Sequence, residues 1–310
     1  MSRVAFLFPG QGAQRAGMGK DFYEVSAVAR KVIDEAGEWL GLDLKKLCFE
    51  EDERLNQTEY TQAALLTVCL AIEKTLETYG IFPEVTAGLS LGEYCAIETA
   101  GALSLKDAVL TVRKRGLLME EAVPAGVGAM AAVLGMDAAA IQAVIQDREG
   151  VWIANDNCPG QLVITGEKTA VEEAGILLKE AGARRVLPLK VSGPFHSPLL
   201  NAAGEKLAEV LAPCKLSGLK IPYISNTLAE PVTDKTKIKD LLTRQISSPV
   251  RWRESMEELI REGVDTFIEI GPGKTLSGFL KKIDRNAVVY SIQTMEDLEK
   301  TVELLKGRNL

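Results

Sequence analysis

The chain has 310 residues, 46% of them hydrophobic and 25% charged, with a net charge of −7 and a pI of about 5.1. That length suggests two domains of roughly 150 residues each, and the composition is that of a globular protein with a large core. The acidic balance argues against a general nucleic-acid binder, whose footprint is a basic face, although a local basic patch for an acidic partner is compatible with it.

In chain order, the first apolar run (residues 4–8) reads as a buried strand and is too short for the apolar region of a signal peptide. Residues 63–79 carry helical spacing, and 85–89 read as a second strand. A helix is expected over 104–122. Ser104 and Asp107 resemble a capping box, with Asp in place of the usual Glu, and Leu105, Ala108, Val109, Val112 and Leu117 share one face. The trio Arg113, Lys114 and Arg115 near its end suits the helix dipole.

From Pro124 the pattern changes. Strand 130–134, helix 137–147, strands 151–154 and 162–165, helix 168–181 and strand 185–191 follow in the order βαββαβ, which is that of a ferredoxin-like unit. Helix 199–211, strand 221–225, helix 250–262 and strands 266–270 and 288–292 complete the chain. Buried strands alternating with amphipathic helices imply an α/β core with a mostly parallel sheet. The expected organisation is a core formed by 1–123 and 196–310, with 124–195 inserted as a small subdomain.

No apolar run reaches bilayer length. The cysteines at 48, 69, 95, 158 and 214 are odd in number and contain no C-x-x-C pair, so neither a disulfide framework nor a zinc cluster is expected. A soluble, intracellular protein with reduced thiols follows.

Two glycine loops invite a nucleotide reading. FPGQGAQ (residues 8–14) offers Gly10 and Gly12, but Arg15 stands where a dinucleotide fingerprint needs its third glycine. GPGKT (271–275) lacks the leading glycine of a P-loop, because Ile268 occupies that position. The second reads as a plain strand-to-helix turn. The first would present backbone N–H groups at the carboxyl end of a parallel strand, where they could serve an oxyanion.

GLSLG (88–92) matches the G-x-S-x-G nucleophile elbow in a strand–turn–helix context, with Ser90 at its tip and the Leu91 N–H facing the same pocket. A serine hydroxyl needs a neighbouring base. The single histidine, His196, follows a strand in a Gly-Pro loop before a helix, a catalytic position in α/β folds. Asp156 could be argued as the group that orients it. Yet further strands and helices follow His196, and the HGGG motif of lipases is absent, so an ordinary esterase fits poorly.

These residues bring a resemblance into view. FPGQGAQ, TQAALL (61–66), GLSLGEY (88–94), RG..M.EAVP.G.GAMAAVLG (115–135), NCPGQLVITG (157–166), SGPFHS (192–197), SSPVRW (247–252) and EIGPGK (269–274) occur in the order seen in one family. The chain resembles the malonyl-CoA:acyl carrier protein transacylases of fatty acid synthesis, acyltransferases also embedded in polyketide synthases. The resemblance implies a hydrolase-like α/β core with a ferredoxin-like insert. It makes Ser90 the acylated nucleophile, His196 its base, and the N–H groups of Gln11 and Leu91 the oxyanion hole. The main-chain carbonyl of Gln245 would orient the histidine. Arg115 would grip the malonyl carboxylate bidentately, and Gln161 and Asn157 would line the pocket. Many members carry histidine before the nucleophile; here that residue is Leu89. The implied protein is a cytoplasmic monomer that meets malonyl-CoA and acyl carrier protein. No metal, bound cofactor, nucleic acid or membrane is implied. Lys281, Lys282 and Arg285 are candidates for a carrier-binding patch. A thioesterase, a polyketide acyltransferase and a non-catalytic binding module remain as alternatives, separable by acceptor, by carrier and by Ser90→Ala.

Overall fold

The computed structural model describes residues 3–124, 126–191 and 193–307, so Ser192 of the SGPFHS motif lies outside the described residues. Among the described residues ten strands form two sheets. The larger contains β1 (Val4–Phe8), β2 (Val85–Gly88), β7 (Tyr223–Ile224), β8 (Pro231–Val232), β9 (Thr266–Ile270) and β10 (Val288–Ile292), in the order β10-β9-β1-β2-β7-β8. All its pairings are parallel except β7 with β8. Its central strands β1, β2 and β9 are buried along their whole length, which is why they read as continuous apolar runs rather than alternating ones.

Register places the site. Phe8 pairs with Gly88, so the loop after β1 and the turn after β2 leave the carboxyl edge of the sheet side by side. The glycines there are dictated by close approach. A Cβ at Gly88 would lie 1.9 Å from the Gly92 backbone, one at Gly92 would lie 2.2 Å from Phe8 O, and one at Gly10 would lie 2.7 Å from Leu89 O. Helix Gly92–Thr99 continues from the turn, and the nearly all-buried helix Thr58–Glu77 packs against helix Leu105–Glu121. Ser104 caps the latter as its sequence suggested: its Oγ accepts from Asp107 N at 3.0 Å.

The second sheet contains β3 (Gly128–Leu134), β4 (Val151–Cys158), β5 (Gln161–Glu167) and β6 (Arg185–Pro188), in the order β4-β5-β3-β6, antiparallel throughout. Helices Ala138–Ile145 and Lys168–Glu180 cover it, and Val133, Ile141, Ile164 and Leu178 are among the residues of its separate core. Strand β4 runs four residues past the expected 151–154, through two register shifts, and pairs with the larger body. Val250 N donates to Ala154 O at 2.8 Å and Asp156 N to Val250 O at 3.0 Å. That seam keeps residues 250 and 251 out of the expected helix 250–262, which spans Trp252–Arg261. Strand 221–225 shrinks to Tyr223–Ile224; Pro222, at its start, has no N–H to donate. Among the described residues no helix is long and apolar enough to cross a membrane.

Candidate active site

Ser90 occupies the tip of the turn after β2 with φ 54°, a left-handed conformation that non-glycine residues rarely adopt. One side chain braces both ends of this turn. Asn226 Oδ1 accepts from Ser90 N at 2.6 Å, and Asn226 Nδ2 donates to Gly88 O at 2.7 Å. His196, also left-handed at φ 59°, lies in the loop before the short 3₁₀ turn Pro198–Leu200. Its own N–H donates to Ile246 O at 3.2 Å.

The two side chains meet. Ser90 Oγ lies 2.8 Å from His196 Nε2. His196 Nδ1 lies 2.9 Å from Gln245 O and 3.2 Å from Ser248 O. Both carbonyls are acceptors, so Nδ1 carries the hydrogen and Nε2 is left to accept the serine proton. Asp156, which an esterase reading would make the orienting acid, instead accepts from Arg253 Nε and Nη2 at 2.9 and 2.8 Å. Burial pushes the His196 pKa down to about 4, and the neighbouring Arg115 charge adds to that shift against the two carbonyl hydrogen bonds.

Arg115 arrives from helix Leu105–Glu121 fully buried. Its Nη2 donates to Ser90 Oγ and to Gln245 Oε1, each at 3.0 Å, and its Nη1 to Gln62 Oε1 at 2.8 Å. Its Nε, also buried, has no acceptor among the described residues. Beneath it, Glu93 accepts from Gln245 Nε2 at 2.7 Å and from Asn226 N at 3.3 Å. Burial pushes the Glu93 carboxyl up to about 8, against the pull of those two donors.

These groups open onto a cavity of about 680 Å³. Gln11, Ser90, Leu91, Arg115, Asn157 and His196 all line it, as does Leu89. Gln161 is not among the lining residues. It opens β5 on the outer side, and its Oε1 accepts from Lys282 Nζ at 2.9 Å. That contact also engages one cation of the suggested basic patch. Lys281 Nζ is held by Ala287 O at 2.6 Å. The loop 271–274 is the positive-φ turn expected of it, with Gly271 at φ 134° and Gly273 at φ 89°.

Gln62, Glu93 and Asn226 were not anticipated, nor was the side-chain role of Gln245. Gln62 and Glu93 lie within the motifs TQAALL and GLSLGEY, but nothing in local pattern marks them as site residues. Asn226 lies 136 residues from Ser90 and belongs to no motif.

Comparison with known proteins finds relatives that span nearly the whole chain. The acyl transferase domain family matches residues 5–297. The malonyl CoA-acyl carrier protein transacylase of Bacillus subtilis is 52% identical, covering 100% of this chain and 99% of its own. The crystal structure of the transacylase of that name from Clostridium perfringens superposes with a TM-score of 0.96 at 42% identity, over 99% of this chain and 98% of the other. A malonyl-transacylase in complex with a type II PKS acyl-carrier protein superposes with a TM-score of 0.95 at 39% identity, over 98% and 100% of the two chains.

Proposed function

The chain belongs to the acyl transferase domain family, and on that premise we propose that it moves a malonyl group from malonyl-CoA to the phosphopantetheine thiol of acyl carrier protein through a malonyl-serine intermediate. The observation that carries this reading is the convergence on one atom. Ser90 Oγ is approached by a base, His196 Nε2 at 2.8 Å, and by a buried guanidinium, Arg115 Nη2 at 3.0 Å.

The steps follow from that arrangement. His196 Nε2 takes the Ser90 proton as Oγ attacks the thioester carbonyl. The main-chain carbonyls of Gln245 and Ser248 stabilise the imidazolium that forms, so no acidic third residue is required. Backbone N–H groups of Gln11 and Leu91 stabilise the oxyanion; losing one such donor costs ~10²–10³ in rate. The C–S bond breaks, and the coenzyme A thiolate leaves with the proton from His196. The carrier thiol then gives its proton to His196 and attacks the malonyl-serine ester; collapse returns the proton to Ser90. Arg115 binds the distal carboxylate of the malonyl group, since a planar fork matches a carboxylate in two hydrogen bonds. These steps use no metal and no bound cofactor. Asn157, at the cavity wall, is a further substrate contact.

The same reading divides the chain into a hydrolase-like core, 1–123 and 196–310, and a ferredoxin-like insert, 124–195. The nucleophile elbow at a parallel strand end supports the first. The spatial order 2-3-1-4 of the insert's strands supports the second. A cytoplasmic location accords with carrier-dependent acyl transfer. The test is incubation with labelled malonyl-CoA, acetyl-CoA and a holo carrier protein of either the fatty acid or the polyketide type. Malonyl should be trapped on Ser90 and pass to one carrier. Hydrolysis as fast as transfer would sink the transferase reading.

A further inference from the structure

The transfer steps use the ends of a buried polar chain and leave its middle unexplained. Glu93, Gln245 and Arg115 are each 0% exposed. Glu93 lies in the first turn of helix Gly92–Thr99, three residues after the nucleophile. Its Oε2 accepts from Gln245 Nε2 and its Oε1 from Asn226 N. The same Nε2 donates to Ser90 O at 2.8 Å, while Gln245 Oε1 accepts from Arg115 Nη2.

We propose that Glu93 is a positioning residue of the acyl transfer: by fixing the Gln245 side-chain amide it holds the Arg115 guanidinium over Ser90, and so sets the preference for an acyl group that ends in a carboxylate. The inference rests on the transacylase reading above and deepens it.

An amide has one acceptor end and one donor end of nearly equal shape. Glu93 and the Ser90 carbonyl offer two acceptors on one side of Gln245, and Arg115 offers a donor on the other. Turned by half a rotation, the amide would set oxygen against oxygen and N–H against guanidinium. In a buried site each lost bond leaves a desolvated group behind. Glu93 therefore decides which way Gln245 faces. The interposed amide has a second consequence. Arg115 is oriented through neutral acceptors on Gln62, Ser90 and Gln245. A carboxylate placed directly against the fork would occupy the bidentate geometry that the substrate needs. Glu93 orients the cation from one residue away, through an amide that carries no charge.

Assayed above pH 8, where the wild-type Glu93 is a carboxylate, Glu93→Gln replaces an acceptor with an amide one end of which is a permanent donor that must face either Gln245 Nε2 or Asn226 N. The experiment measures kcat/KM for loading of labelled malonyl and acetyl groups from their coenzyme A thioesters. It uses the full-length wild type, Glu93→Gln, Gln245→Met and the double variant. Each single variant should lower the malonyl-to-acetyl ratio on the order of 10- to 100-fold, mostly through the malonyl KM, and the double variant should lower it no further. A structural role alone would depress both substrates equally, and an unchanged ratio overturns the proposal. So do losses that multiply in the double variant. Should Glu93→Gln fail to fold, Glu93→Asp takes its place: the shortened carboxylate withdraws from Gln245, and an unchanged ratio again overturns the proposal. Failure of the wild type to load malonyl is a separate result, and it removes the transacylase reading itself.

Discussion

Beneath Ser90 the cavity wall at Gln62 and Arg115 is backed by a web of directed hydrogen bonds that runs on through Gln245 and Glu93 to Asn226. Across the cavity the antiparallel sheet and the chain that leaves it contribute Met130, Val163, Leu189 and Val191, beside the polar Asn155, Asn157 and Lys190. The floor joins residues from separate elements of the larger body, and its donors and acceptors have few alternative arrangements. The roof adds apolar surface, which makes contact without fixing a direction. Direction is built in where charge moves during reaction, because a preoriented dipole need not reorganise. Shape suffices where the wall has only to exclude water.

Four changes test that contrast, in falling order of effect. His196→Ala removes the only imidazole in the chain, and malonyl-serine formation, followed by intact-protein mass spectrometry, should fall by about 10⁴ or more. Arg115→Lys keeps the charge and loses the fork that serves Gln62 and Gln245 together. Malonyl kcat/KM should drop by roughly 10²–10³, with acetyl loading far less affected. Full activity in that variant would mean the floor supplies charge without direction.

The third change is pH. In the proposed steps the neutral imidazole is the base, and with a pKa of about 4 it stays neutral well below the ordinary histidine range. At pH 5 the free enzyme should keep about thirtyfold more active base than an imidazole of ordinary pKa would. An acid limb of kcat/KM near 6.5 would show that Arg115 and burial do not act on His196 as the geometry states. The cost is in stability. A depressed histidine binds fewer protons folded than unfolded, so the native state loses stability as pH falls from about 6.5 toward 4. The smallest effect belongs to the roof. Val163→Ala should raise KM a few-fold, leave kcat within about twofold and cost about 1–2 kcal/mol of stability. A kcat loss as large as that of Arg115→Lys would erase the distinction between the two walls.

Much of the frame was legible because its signals are local. Strands β1, β9 and β10 announce themselves as short apolar runs with turn residues at their ends, and Ser104 marks the start of its helix by its own hydroxyl. The elements covering residues 20–49 were not read. The longest of them, helix Ala27–Leu40, buries Ala29, Val32, Ile33 and Ala36, a face with regular i, i+3, i+4, i+7 spacing but half of it alanine, whose small side chains stand out little among the charged residues between them. The strand pairings that lengthened β4 and shortened β7 are tertiary, set by Val250 and by the partner strands. In the site, Ser90 and His196 could be found because one lies in a spaced motif and the other has no competitor. Gln161 shares a motif with Asn157, but the structure sets its side chain against Lys282, a contact with helix Thr275–Ile283 that the motif does not encode. Gln62, Glu93 and Asn226 were invisible for a physical reason. Their partners lie up to 152 residues away in the chain, and a polar side chain carries no local mark of what it will meet.

Ser90 and His196 share one more property: both hold left-handed backbones, at φ 54° and 59°. With the roles proposed for them, the evolutionary consequence is that catalysis works against thermostability at these two positions. Glycine would relax either backbone, whereas alanine keeps the strain. Ser90→Gly and Ser90→Ala are equally inactive proteins, yet the glycine form should be the more stable by roughly 1 kcal/mol. Selection for heat resistance alone, with no demand for turnover, would therefore drift toward glycine at the nucleophile. The residues that make the enzyme are among those that folding would choose to discard.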